Sequence, residues 1–142
     1  MDTSVYMNVG YEWNWATSGY GDNATQTNIT VTNTTHPIFT GITFVSGNEV
    51  QILTAVSSAG LAYFDSTQFI GVAGGTVTNI ANVRTQPSQI CILEISPGTS
   101  INGTTIPQRF IQIGIDSNSY GNVTNDALKI IKNTIYYLMG RL

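Results

Sequence analysis

The sequence predicts a strand-rich α/β domain, in which a mixed sheet carries a β-hairpin and a single C-terminal helix. Three observations lead there. The two strongest strand candidates, "SQICILEIS" and "QRFIQIGI", flank "PGTSINGTTIP", whose Pro97-Gly98 and Asn102-Gly103 pairs are turn formers, so the two runs should fold back on each other. From Leu128 onward, Leu128, Ile131, Ile135, Leu138 and Met139 recur at spacings of three and four, the period of one helix face. Upstream of both, apolar residues come in short alternating runs separated by Gly, Asn and Thr.

Taken in order, "SVYMNVGY" reads as a first short strand and "EWNWATSGYGDNATQ" as an irregular segment mixing aromatics with turn formers. "TNITVTN" alternates through Ile29 and Val31 as a half-buried strand does. "THPIFTG" is a turn, in which Pro37 holds His36 extended. "EVQILTAV" is a further strand, and "GLAYF" and "FIGVAG" are short apolar runs bounded by Gly. "GTVTNIANVR" alternates through Val77, Ile80 and Val83 with a slip of one residue, which predicts a bulge. After the hairpin, Gly121 turns the chain and Thr124 is the expected N-cap, with Asp126 in the first turn where the helix dipole favours negative charge. Gly140 is the expected stop.

A chain of 142 residues is one domain by length, residues 1–142 forming a single module with room for a real core. Charged residues make up 9%, against about 25% in ordinary globular chains, so the surface is neutral and rich in hydroxyls and amides. Lys and Arg total 5 and the net charge is -3, which leaves no basic stripe to neutralise phosphates and argues against nucleic acid as a partner. No apolar run reaches the roughly 18 residues of a membrane span, so no membrane insertion is expected, and no signal peptide is visible in the chain. The triplet N-x-T occurs at Asn23, Asn28, Asn33, Asn102 and Asn122, each a glycosylation acceptor if exposed. Low charge, hydroxyl richness and these acceptors together predict an extracellular or cell-surface setting.

Catalytic groups are sparse. Cys91, the one cysteine, lies in the apolar run "QICILEI" with no Gly beside it, where a cysteine behaves as a small core hydrophobe. His36, the one histidine, sits before Pro37 in a turn and is expected to pack or hydrogen-bond there. Among Asp22, Glu49, Asp65, Glu94 and Asp116 no spacing pairs two carboxylates. "DSNSYGNVTND" imitates part of a calcium loop through Asp116, Asn118 and Gly121, but Tyr120 and Ala127 stand where further ligands belong, so neither a metal nor a cofactor is expected. The loop residues Asp116, Asn118 and Tyr120 lie just beyond a strand's carboxyl end, where α/β sheets gather ligands. Tyr11, Trp13, Trp15 and Tyr20 cluster beside Gly and Asn. Aromatic rings so placed can stack on sugars, and they can equally cover a core or an interface.

With these residues in hand, "ITVTNTTHPIFTGI", the hairpin "ICILEISPGTSINGTTIPQRFIQIGI" and "GNVTNDALKIIKNTIYYLMG" resemble, over residues 28–140, the C-terminal half of class I glutamine amidotransferase-like domains. The nearest likeness is to the trehalose-utilisation (ThuA-like) branch and to related modules of large secreted or surface proteins. An "HP" turn after a strand, an Arg-bearing hairpin strand and a final helix carry the resemblance. It implies a partial flavodoxin-like, Rossmann-like sandwich whose first half, with its parallel strands, is missing from the chain. The expected remedy is another chain, most simply a second copy, completing the sheet. Where the family's enzymes place a base histidine, this chain has Gly114-Ile115-Asp116, so the resemblance implies no catalytic residue. The expected function is a non-catalytic, self-associating structural or interaction module. The alternatives are a ThuA-like sugar-metabolism or carbohydrate-binding protein and a hydrolase completed by another chain.

Overall fold

The computed structural model describes residues 13–56 and 60–142. The strand expected over "SVYMNVGY", and Tyr11 with it, lie outside the described residues. Among the described residues there are nine strands: β1 (Tyr20–Asn23), β2 (Asn28–Val31), β3 (Glu49–Gln51), β4 (Leu61–Phe64), β5 (Val77–Val83), β6 (Ile90–Ile95), β7 (Ser100–Ile101), β8 (Thr104–Thr105) and β9 (Phe110–Ile113). The helix α1 (Asn125–Leu138) follows them.

The main sheet runs β1-β4-β6-β5-β2-β3, with β9 also paired to β6. β5 lies along the whole of β6, so β4, joined at Phe64↔Ile90, and β9, joined from Ile92↔Ile113 to Ile95↔Phe110, share the opposite edge. The expected hairpin is therefore present. The mixed sheet is not: every pairing among the described strands is antiparallel. Parallel neighbours need a long crossover, usually helical, and the strands here are joined by turns and loops, with α1 coming only after the last of them.

Local chemistry explains most of the elements. The β5–β6 register shifts at Asn79/Ala81 and Ala81/Asn82, which is the bulge the slipped alternation predicts. Pro97-Gly98 forms a tight turn in which Gly98 takes φ 80° and Thr99 N–H donates to the Ser96 carbonyl. Asn102 and Gly103, with φ 47° and 77°, join β7 to β8 as a two-residue hairpin turn needs. At α1 the Thr124 hydroxyl accepts from Ala127 N–H, and Asp126 sits in the first turn. Gly140 N–H and Arg141 N–H return to the Tyr137 and Tyr136 carbonyls with Gly140 at φ 67°, a Schellman end.

Three expectations need correction. β1 occupies part of the segment expected to be irregular, because Tyr20–Asn23 pairs residue for residue with β4, a partner forty residues away that local pattern cannot reveal. "EVQILTAV" is strand only over Glu49–Gln51, and "FIGVAG" contributes single bridges at Phe69 and Ala73, since Ile70 N–H bonds to the Trp15 carbonyl instead of to a neighbouring strand. The helix face is displaced: Ala127, Ile130 and Thr134 are buried, while Leu128, Ile135, Leu138 and Met139 are 55%, 53%, 44% and 54% exposed.

Both sheet faces are covered. On one, Ile29, Val31, Val83, Ile92 and Ile113 pack under α1 and the short 3-10 turn Pro37–Phe39. On the other, Phe64, Leu93 and Ile95 pack against Trp15, Phe69, Ile101 and Ile106. Alternation along β6 and β9 thus sends side chains into two cores, and burial of each large aliphatic chain there is worth roughly 1.5–3 kcal/mol.

Candidate functional site

The start of β9 is where the chemistry-bearing side chains gather, on both faces of the sheet. On the helix face, Glu94 points out of β6 between Arg109, His36 and Tyr137. Glu94 Oε2 lies 3.0 Å from His36 Nε2, and Oε1 lies 2.9 Å from Arg109 Nε and 3.4 Å from the Tyr137 hydroxyl. The Arg109 guanidinium stacks 4.5 Å from the Tyr137 ring centroid, and the His36 ring meets the same tyrosine edge-on at 5.0 Å. Four segments far apart in sequence meet at one carboxylate.

The hydrogen bonding fixes what this cluster can do. His36 Nδ1 accepts from Ile38 N–H at 3.4 Å, capping the 3-10 turn, so Nε2 carries the proton and donates it to Glu94. Both ring nitrogens are occupied, and no lone pair is left to act as a base. Glu94 in turn takes three donors. The cluster is a clasp that ties α1 and the 3-10 turn to β6, which agrees with the structural role expected of His36. Burial, then the negative charge of Glu94 and the hydrogen bond to it, hold the Tyr137 phenol above its ordinary pKa, against the opposing pull of the Arg109 charge. Because Arg109 is 41% exposed, its ion pair is largely screened by solvent. Glu94→Ala is expected to lower unfolding free energy by about 1–2 kcal/mol, and Glu94→Gln by less, in urea titrations. A midpoint unmoved by Glu94→Ala would refute the clasp.

Cys91 lies on β6 within the core that packs under α1. It is buried, its Sγ donates to the Gly114 carbonyl at 3.2 Å, and burial pushes the thiol up to about 12. A nucleophile needs the opposite environment, exposed and electropositive.

The loop residues Asp116, Asn118 and Tyr120 separate. Asp116 is fully buried, its N–H donates to the Gly60 carbonyl, and its Oδ1 accepts from Asn118 N–H at 2.8 Å, capping the 3-10 turn Ser117–Asn122. Its Oδ2 has no hydrogen-bond partner among the described residues. Asn118 supplies its backbone to that cap. Tyr120, 43% exposed, lines an apolar hollow of about 170 Å³ with Ile113, Ile115 and Ile131. Among the described residues no three His, Cys, Asp or Glu side chains converge on a point.

On the other face, the aromatic candidates also divide. Trp15 is buried at 6% exposure and Tyr20 is half-buried against the same core. Trp13 remains 37% exposed, its ring 4.8 Å from Trp15 and 6.1 Å, edge-on, from Phe110. Trp13, Trp15, Thr104 and Phe110 line a hollow of about 430 Å³. The tryptophans stand out in the sequence, whereas Phe110 and Thr104 join them only through the hairpin. The clasp has one local signal in the sequence, a glutamate inside the apolar strand "ICILEI".

The last feature is the outer face of α1. Leu128, Ile135, Leu138 and Met139, with Leu142 just beyond, form an apolar stripe beside the buried face, and Ile131 belongs to both. No helix among the described residues is long and apolar enough to cross a membrane. Comparison with protein-family models, with curated proteins and with solved structures returns no match to this chain.

Proposed function

We propose that this chain is a non-catalytic interaction module that associates with a second copy of itself through the outer face of α1. The observation that carries the reading is the exposed stripe. Isolated apolar side chains are ordinary on a surface, whereas a row of four, each at least 44% exposed along one helix face, forms a continuous patch of the kind used for association. The row is self-complementary. Leu128 and Leu138 lie five residues to either side of Asn133, and Ile131 and Ile135 two, so an antiparallel pair of helices would set Leu128 of one copy against Leu138 of the other and Ile131 against Ile135.

What supports a non-catalytic role is the closed clasp at Glu94 and the buried thiol of Cys91. A secreted or cell-surface setting rests on the 9% charge and the five acceptor triplets. The relation to glutamine amidotransferase-like half-domains, and a partial flavodoxin-like sandwich with it, rests on the order of strand, HP turn, hairpin and final helix; the antiparallel sheet counts against it. A second reading, binding of a neutral saccharide, is favoured by the hollow beneath Trp13, where an exposed indole, Phe110 and the Thr104 side chain face one space.

Sedimentation velocity over a concentration series tests the main reading. A dimer is expected, and Leu128→Glu with Ile135→Glu should give a monomer with an unchanged thermal midpoint. A monomer at every concentration, or a dimer indifferent to both substitutions, would overturn it. Glycan-array binding that is lost in Trp13→Ala would instead establish the second reading.

A further inference from the structure

The five N-x-T triplets are not equivalent once folded, and we infer that Asn33 is the N-linked glycan acceptor of this protein. The folded chain accommodates a glycan without losing its own contacts only where the side-chain Nδ2 is exposed and not already committed as a donor. At Asn33 the carboxamide oxygen is the atom in use: Oδ1 accepts from Thr35 N–H at 3.1 Å and from the Thr35 hydroxyl at 2.7 Å. His36 N–H closes the same corner onto the Asn33 carbonyl at 3.2 Å. Residues 33–35 are all exposed, so the triplet forms a projecting corner with Nδ2 turned away from its own hydrogen bonds.

The comparison with Asn23 isolates the deciding feature. There the triplet folds the same way, with Oδ1 accepting from Thr25 N–H at 3.0 Å and the Thr25 hydroxyl at 2.8 Å, but Nδ2 donates to Gln89 Oε1 at 2.7 Å and the residue is half-buried. Asn102 is exposed, yet its Nδ2 donates to the Asn14 carbonyl at 2.9 Å and its backbone holds the turn at φ 47°. Asn28 is half-buried inside β2, between β3 and β5, and Asn122 is half-buried with its carbonyl accepting from Thr54 N–H.

The donor implied is an oligosaccharide linked through a diphosphate to a polyprenol. The Nδ2 lone pair forms the bond to sugar C1 as the C1–O bond to the diphosphate breaks; one amide proton leaves to a base of the transferase and the polyprenyl diphosphate departs with the electron pair. The test is secretion of the chain behind a cleavable leader from a glycosylating host, followed by site-by-site occupancy from glycopeptide masses after enzymatic release in heavy-oxygen water. Occupancy is expected to be highest at Asn33, and Asn33→Gln should remove the main glycan from the intact mass while the thermal midpoint stays put. An unmodified Asn33 in folded, secreted protein, or lower occupancy there than at Asn23 or Asn102, would overturn the assignment. Thr35→Ala, which keeps Asn33 but removes the hydroxyl, should abolish modification equally; retained modification would also count against it.

Discussion

Gly114→Ala is expected to cost roughly 3 kcal/mol or more of folding stability, although it adds one methyl group. A Cβ at Gly114 would stand 1.9 Å from the Ala62 carbonyl oxygen, 2.8 Å from the Ala62 carbonyl carbon and 3.1 Å from the Cys91 carbonyl oxygen. All three are backbone atoms, so no rotamer change can relieve the clash. Gly114 N–H already donates to the Cys91 carbonyl at 2.7 Å, which fixes the residue where β9 gives out and β4 takes over the edge of β6. Making room means prising β4 from its neighbours, at the centre of the main sheet. Domains of this size hold only about 5–15 kcal/mol in total, so the variant should show a sharply lower urea midpoint or fail to fold. Gly121→Ala is the control: a Cβ there meets nothing within 4 Å, and the midpoint should not move. Equal midpoints for the two variants would sink the packing argument.

That junction shows which features are legible in a sequence and which are not. The hairpin, the bulge in β5, the cap at Thr124 and the stop at Gly140 all depend on residues within a few positions of one another, and each reads directly. Gly114 looks like any glycine after a strand; its necessity comes from Ala62, fifty-two residues earlier. The clasp is illegible for the same reason, since His36, Glu94, Arg109 and Tyr137 come from four segments that only the folded sheet brings together. The helix gives a subtler case. Two apolar stripes share Ile131, and the one with larger side chains, Leu128, Ile135 and Leu138, outweighs Ala127, Ile130 and Thr134 in any periodic count. Size favours the stripe left outside, because the space above the sheet beneath α1 takes an alanine and a threonine where it takes only one isoleucine. The aromatic segment was legible as a cluster, while the division between buried Trp15 and exposed Trp13 was not.

The second large effect is alkaline. Burial lifts the Cys91 thiol from 9.0 to about 12, while in the unfolded chain it ionises near the lower value. Between those two pH values the folded protein holds a proton that the unfolded chain has released, so stability must fall as pH rises. Each unit is worth about 1.4 kcal/mol, and the full window about 4 kcal/mol. Below pH 9 the contribution is fully present; above 12 it is gone. Tyr137, also raised from its usual 10.0, adds a slope of the same sign at the upper end of the range. Urea titrations of the parent chain and of Cys91→Ala from pH 8 to 11 separate the two. The variant should be less stable at pH 8, because it loses buried contacts, and the gap should narrow by roughly 1 kcal/mol per unit above pH 9 as the parent loses its advantage. Tyr137→Phe should leave the Cys91-dependent slope intact. A gap that stays constant across the range would show that the thiol ionises in the folded state as freely as in the unfolded chain. In that case a thiol reagent should also label native Cys91 at pH 8 without waiting for the sheet to open, whereas a buried thiol reacts only at the rate set by opening.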